Sequence, residues 1–216
     1  MSETVWLSDP RVAAIPINDG AEPLVDLRTV PSLRLDHRRA DPAGQYAHLR
    51  AGVVDRLVAA QSLLPRGRRL LIIEGYRPPW LQDWLLFEHT ASIRASHPDW
   101  TEADVLRRAL LHRPPSALAP HVTGAAVDLT LCDHTGAELP MGSGLEAGAT
   151  HGDQAHRTDH PGVDQPVRDN RLLLGGVLLA VGLVNHPHEW WHWSYGDRYW
   201  ALRTTRPTAR YGSTHP

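Results

Sequence analysis

The feature that most constrains this chain is a single aspartate inside an apolar, strand-like segment. Over residues 125–131 apolar side chains alternate, and Asp128 falls on the same side as Ala126 and Thr130. A carboxylate buried in such a strand costs several kcal/mol unless a cation or a metal ion compensates its charge. The fold must therefore bring a positive group to Asp128.

Two histidines and a glutamate complete a candidate metal site. His121 lies shortly before Asp128, and His192 ends the C-terminal sequence His188-Glu-Trp-Trp-His192. A catalytic zinc ion takes three N or O ligands from the protein and leaves its fourth position to water. We expect one zinc ion per chain, bound by His121, Asp128 and His192. Glu189, which is not needed as a ligand, is the candidate general base that takes a proton from the zinc-bound water.

The spacing of the C-terminal motif leaves other ligands open. On a regular strand Glu189 and His192 point to opposite faces, whereas His188 shares a face with His192. His188 is therefore a rival ligand, and His186 is a more distant one. We predict a bulge or a bend at 189–191 that puts Glu189 before the strand and His192 on it. The alternative without metal is a hydrogen-bonded cluster in a packed interior, made of His121, Asp128 and His192.

Composition limits the class of protein. The 216 residues suit one domain, so 1–216 is predicted to be a single unit. A net charge of −2 without a basic run argues against nucleic acid as a partner. The longest apolar run, 172–184, contains glycines and is shorter than the roughly 20 residues that span a bilayer, so no membrane contact is expected. A single cysteine and no visible export signal favour the cytoplasm, while homo-oligomerisation stays open.

Periodicity predicts a mixture of helices and strands. Helical spacing predicts helices over 47–64, 79–96, 101–112 and 171–184, and strands are predicted over 24–27, 69–74, 125–131 and from about 188. Residues 1–45 are expected to be an irregular wrapping. The polar segment 133–170 exceeds ordinary connection lengths, which indicates a functional loop or lid.

Three short motifs, in this order, resemble the zinc D-alanyl-D-alanine dipeptidases of the vancomycin-resistance type, within a wider group of zinc D,D-peptidases. They are Glu74-Gly-Tyr-Arg-Pro-Pro, His121-x6-Asp128-Leu-Thr-Leu and Glu189-Trp-Trp-His192. The resemblance implies an α+β fold whose small central antiparallel sheet carries the zinc site and is flanked by helices, as in the hedgehog-like group. It also implies zinc binding by the two histidines and Asp128, proton transfer by Glu189 and oxyanion stabilisation by Arg77.

Arg77 is also a candidate on its own chemistry. A permanently charged guanidinium on a turn beside the site can stabilise the oxyanion of a tetrahedral intermediate. The alternative is a structural turn arginine paired with a carboxylate.

Two departures from the family pattern concern the substrate. The family has a serine two positions before the first histidine, where this chain has Ala119, and an aspartate where this chain has Glu146. In the family these side chains help to hold the free ammonium of the dipeptide, and Tyr76 is a further candidate for substrate contact. A hydrogen bond to a charged group is worth about 1.5–3 kcal/mol, so the lost hydroxyl changes which dipeptide is preferred without abolishing hydrolysis.

The sequence thus predicts a zinc metallopeptidase that hydrolyses a short dipeptide, with D-alanyl-D-alanine the first candidate. The alternatives are a D,D-carboxypeptidase acting on cell-wall precursors, an amidase or peptidase for a specialised metabolite, and a metal-binding module without catalysis. The presence of Glu189 argues against the last, because a binding module has no need of a general base. Roles in antibiotic resistance, cell-wall recycling and biosynthesis all stay open.

Overall fold

A computed structural model describes residues 5–145 and 154–215 of the protein. Its helices are α1 (Pro10–Ala13), α2 (Ala51–Leu63), α3 (Pro79–Ser96), α4 (Glu102–His112), α5 (Gln165–Ala180) and α6 (Arg198–Arg203). Its strands are β1 (Leu24–Asp26), β2 (Arg34–Leu35), β3 (His48–Arg50), β4 (Arg68–Glu74), β5 (Ala126–Asp133), β6 (Val184–Asn185) and β7 (His192–Ser194). Within the described ranges no helix is both long and apolar enough to cross a membrane.

The main sheet has five strands in the order β2, β4, β5, β7 and β6. Its neighbouring strands are antiparallel except for the short β2, which runs parallel to β4. Strands β1 and β3 form a separate antiparallel pair. Helix α5 packs against α2 and β5, and α3 packs against α4. This mixed α and β architecture confirms the predicted fold class.

The register of the sheet places three polar side chains in one row. Asp128 on β5 pairs with Glu74 on one side and with His192 of β7 on the other. The register shifts between Ile72 and Glu74, so β4 ends on an irregularity where it meets Asp128. Because directly paired residues present their side chains on the same face, Glu74, Asp128 and His192 converge on one surface of an otherwise apolar sheet.

Several predicted element bounds differ from the structure. The helix predicted over 171–184 is Gln165–Ala180: proline opens it near its N-terminus, and Gly182, with φ of 86°, follows its end. Residues 165–170, which were predicted to belong to the loop 133–170, therefore lie in this helix. The helix predicted from residue 47 begins at Ala51, because His48–Arg50 is drawn into pairing with β1. The N-terminal wrapping contains short elements of its own, namely α1, β1 and β2.

A candidate metal centre and its pocket

His121 is positioned by a short 3-10 turn, Pro120–Thr123, that leads into β5. Gly124 ends this turn with φ of 67°, a backbone conformation that favours glycine. The Nδ1 atom of His121 lies 2.7 Å from the carbonyl oxygen of Gly75. This contact makes Nδ1 the donor and leaves Nε2 free to act as a ligand.

The three predicted ligands meet in the buried interior. Nε2 of His121 lies 3.3 Å from Oδ1 of Asp128, and Nδ1 of His192 lies 2.9 Å from the same oxygen. Tetrahedral ligands held about 2.0–2.1 Å from a zinc ion lie roughly 3.3 Å from one another. The donor types fit zinc, and the donor atoms all lie within 4.8 Å of one another, although the 2.9 Å contact of His192 with Asp128 is also a hydrogen-bond distance. In the described part of the chain, this is the one group of three or more such donors close enough to share an ion.

Glu189 stands on a bend just before β7. The N–H of Glu189 donates to the carbonyl of His186 over 2.9 Å, and the carbonyl of Glu189 accepts from the N–H of His192 over 3.1 Å. The chain has the predicted bend rather than a bulge, so Glu189 and His192 both line one pocket. Burial raises the pKa of the Glu189 carboxyl above its ordinary value, and Asp128 adds to that effect.

The rival ligands lie elsewhere. The ring of His188 stacks on Trp6 with 3.4 Å between ring centroids, and it is not among the residues that line the pocket. The ring of His186 lies 6.0 Å from that of His192 and outside the three-donor group. The bend explains the difference, because it breaks the strand alternation that would have put His188 on the face of His192.

Arg77 is held by a buried network beside the metal centre. Its Nε and Nη2 donate to the two carboxylate oxygens of Glu74 over 2.7 and 2.6 Å, and its Nη1 donates to Oε1 of Gln82 over 2.7 Å. Burial alone would raise the pKa of Glu74, but the charge of Arg77 holds it below its usual range. A guanidinium carries five N–H donors, so two remain for a ligand in the pocket. Arg77 is thus paired structurally and still lines the pocket.

The candidates for substrate contact fare differently. Ala119 is buried and lines the pocket. Tyr76 lies outside the pocket, against the expectation from the sequence: it is buried, and its hydroxyl donates to the carbonyl of Thr214 over 2.8 Å. Glu146 lies outside the described residues.

Sequence reasoning missed part of the pocket wall. Leu7 and Arg39 come from the N-terminal region, where nothing functional was expected, and no local pattern marks them. His112 and Arg113 lie at the end of α4, where a His-Arg pair directly before two prolines was the available signal. Further lining residues are Glu74, Gln82, Leu145 and Trp191.

An α+β fold that gathers two histidines, an aspartate and a nearby glutamate in one pocket defines the class of metal-dependent hydrolases. The comparisons are more specific, since the D-Ala-D-Ala dipeptidase family model matches residues 47–209. A D-alanyl-D-alanine dipeptidase of Synechocystis sp. is 31% identical over 94% of this chain and 91% of its own length. One from Escherichia coli is 39% identical over 33% of this chain and 35% of its own. The chain belongs to the D-Ala-D-Ala dipeptidase family and is a peptidase.

Solved structures add little to this. The LdcB LD-carboxypeptidase superposes with a TM-score of 0.48 and 15% identity, over 87% of this chain and 76% of that one. A structure described as VanYB in complex with D-alanine-D-alanine gives a TM-score of 0.45 and 14% identity, over 78% and 83% of the two chains. Likenesses this weak carry no argument about this protein.

Proposed function

We propose that this protein is a zinc peptidase that hydrolyses D-alanyl-D-alanine or a closely related dipeptide. His121, Asp128 and His192 hold the zinc ion in this proposal. The observation that carries it is the meeting of these three donors, within 4.8 Å of one another, in the pocket that Glu189 and Arg77 also line. The Synechocystis relative, alike over nearly its whole length, supports the choice of substrate.

Glu189 acts as the general base and acid. Zinc, when bound, supplies an acidified water and polarises a carbonyl oxygen. Glu189 lines the pocket together with the three donors, and a carboxyl group beside a zinc-bound water can take up a proton and return it. Glu189 takes the proton of the attacking water and then delivers it to the leaving amine.

Arg77 stabilises the negative oxygen that develops on the scissile carbonyl. Its bidentate contact with Glu74 and its bond to Gln82 fix the plane of the guanidinium, so two N–H groups keep their direction without reorganisation. The buried ion pair therefore supports catalysis by orientation.

The relatives favour a dipeptide over the extended precursors of a D,D-carboxypeptidase, because the family model and the Synechocystis protein are both described as D-Ala-D-Ala dipeptidases. Leu7, Ala119 and Trp191 line the pocket in which the dipeptide would bind.

The test is amino-acid release from L,L, D,D and mixed dipeptides and from an N-acylated dipeptide, with zinc-loaded and chelator-treated protein. We expect chelator-sensitive cleavage of free D,D-dipeptides. The variant Glu189→Gln should bind one zinc ion per chain by elemental analysis and lose nearly all turnover. Cleavage of the acylated substrate alone, or wild-type rates in Glu189→Gln, would contradict the proposal.

A further inference from the structure

We infer that Arg113 binds the free C-terminal carboxylate of the dipeptide and thereby selects substrates that end at the second residue. The inference rests on the proposed function and adds a specificity-determining residue to it. Arg113 directly follows α4 and lines the pocket together with Glu189 and Arg77.

The backbone at Arg113 is fixed on both sides. Its N–H donates to the carbonyl of Ala109 over 2.9 Å, which closes the last turn of α4. The carbonyl of the next residue, Pro114, accepts from Nε2 of Gln82 over 2.7 Å, and Gln82 also accepts from Arg77. The position of Arg113 is therefore tied through Gln82 to the arginine that we assign to the oxyanion.

Two of the three acids that line the pocket are already engaged, whereas Arg113 is not. Glu74 is held by Arg77 through both of its oxygens, and Asp128 lies between the two histidines. Over residues 5–145 and 154–215, the guanidinium of Arg113 has no hydrogen bond and no carboxylate oxygen within 4.0 Å, although Glu189 is near enough to attract it. A partly buried guanidinium with open donors in a pocket is suited to bidentate recognition of a carboxylate.

The charge of the pocket also favours an anion there. Three arginines line it, namely Arg39, Arg77 and Arg113, against three carboxylates, namely Glu74, Asp128 and Glu189. A divalent ion on the histidines and Asp128 makes the balance positive. Burial, followed by the charge of Arg77, lowers the pKa of Arg113, because both disfavour its charged form. A bound carboxylate would stabilise that charged form.

The neighbouring histidine cannot take this role. Burial, followed by the charge of Arg108, lowers the pKa of His112 to about 3, so its ring is neutral at the pH of the reaction. Arg113 is thus the cation that the end of α4 offers to a ligand.

The experiment compares D-alanyl-D-alanine with its C-terminal amide as substrates of zinc-loaded wild type, Arg113→Met, Arg113→Lys and Arg107→Met. Arg107 is the matched control, because it is an arginine of the adjoining helix α4 but is exposed and pairs with Asp104. We expect wild type to prefer the acid, and Arg113→Met to lose about 10- to 100-fold in kcat/KM on the acid, mostly through KM. On the amide, kcat/KM of Arg113→Met should stay within about threefold of wild type. Arg113→Lys should recover part of the preference for the acid, and Arg107→Met should match wild type on both substrates.

Three outcomes would overturn the assignment. If wild type cleaves acid and amide equally well, no group of the protein recognises the carboxylate; this result does not depend on whether any variant folds. Equal losses on both substrates, with a shift in the pH profile, would mean that Arg113 acts through Glu189. Unchanged kinetics in Arg113→Met would remove any role. Failure of wild type to cleave either dipeptide would instead refute the proposed function itself.

Discussion

Removing the carboxylate of Glu74 should destabilise the protein far more than removing the whole Glu74–Arg77 pair. The two side chains are buried, with 7% and 5% of their surface exposed, and they share two hydrogen bonds of 2.7 and 2.6 Å. Glu74→Leu leaves a buried guanidinium without its counter-charge, which costs about 3–5 kcal/mol. For a chain of this size that is a fall of roughly 6–20 °C in Tm. In the double variant Glu74→Leu/Arg77→Met no charge is left unpaired, so most of the lost stability should return.

Activity should not return with stability. If Arg77 stabilises the oxyanion, the double variant lacks a donor that is worth about 10²–10³ in kcat. Calorimetry and dipeptide turnover on wild type, both single variants and the double variant separate the two roles. A double variant whose loss of Tm equals the sum of the single losses would refute the buried-pair reasoning. A double variant with wild-type kcat would refute the role of Arg77 in catalysis.

Three further perturbations follow from the structure. Burial lowers the pKa of His112 to about 3, so below about pH 6.5 the unfolded chain binds a proton that the folded chain does not, and the free energy of unfolding should decrease as the pH is lowered. Burial also lowers the pKa of His186 and His188, so His112→Phe should reduce this dependence without removing it, as measured by urea unfolding of metal-free protein. Arg171 is buried and donates to the carbonyls of residues 141, 155 and 157, so Arg171→Met should lower the free energy of unfolding by about 3–5 kcal/mol. Arg168 is exposed, so Arg168→Met should change it by only about 0.5 kcal/mol. Similar losses of stability in the two variants would contradict this reasoning. Leu7→Ala removes part of a pocket wall, so it should raise KM for dipeptides and allow measurable cleavage of tripeptides. A variant that cleaves tripeptides no faster than wild type would show that Leu7 does not limit the length of the substrate.

Local patterns predicted the elements that carry the chemistry. The strand expected over 69–74 is Arg68–Glu74, and the helix expected over 79–96 is Pro79–Ser96. The bend before His192 was also predictable, because one side chain had to leave the strand alternation if Glu189 and His192 were to share a pocket. The bounds of α5 were not, since its first turns are polar and its apolar run continues past Gly182.

The sequence by itself determined the donor types, the apolar strand around Asp128 and the family resemblance, because residue chemistry and backbone periodicity are local properties. Tertiary structure alone decided that Glu74, Asp128 and His192 fall in one row, because strand register depends on pairing between distant segments. It also brought Leu7 and Arg113 to the pocket. No pattern within either segment predicts this, because the pocket wall is formed by contacts between segments far apart in the chain.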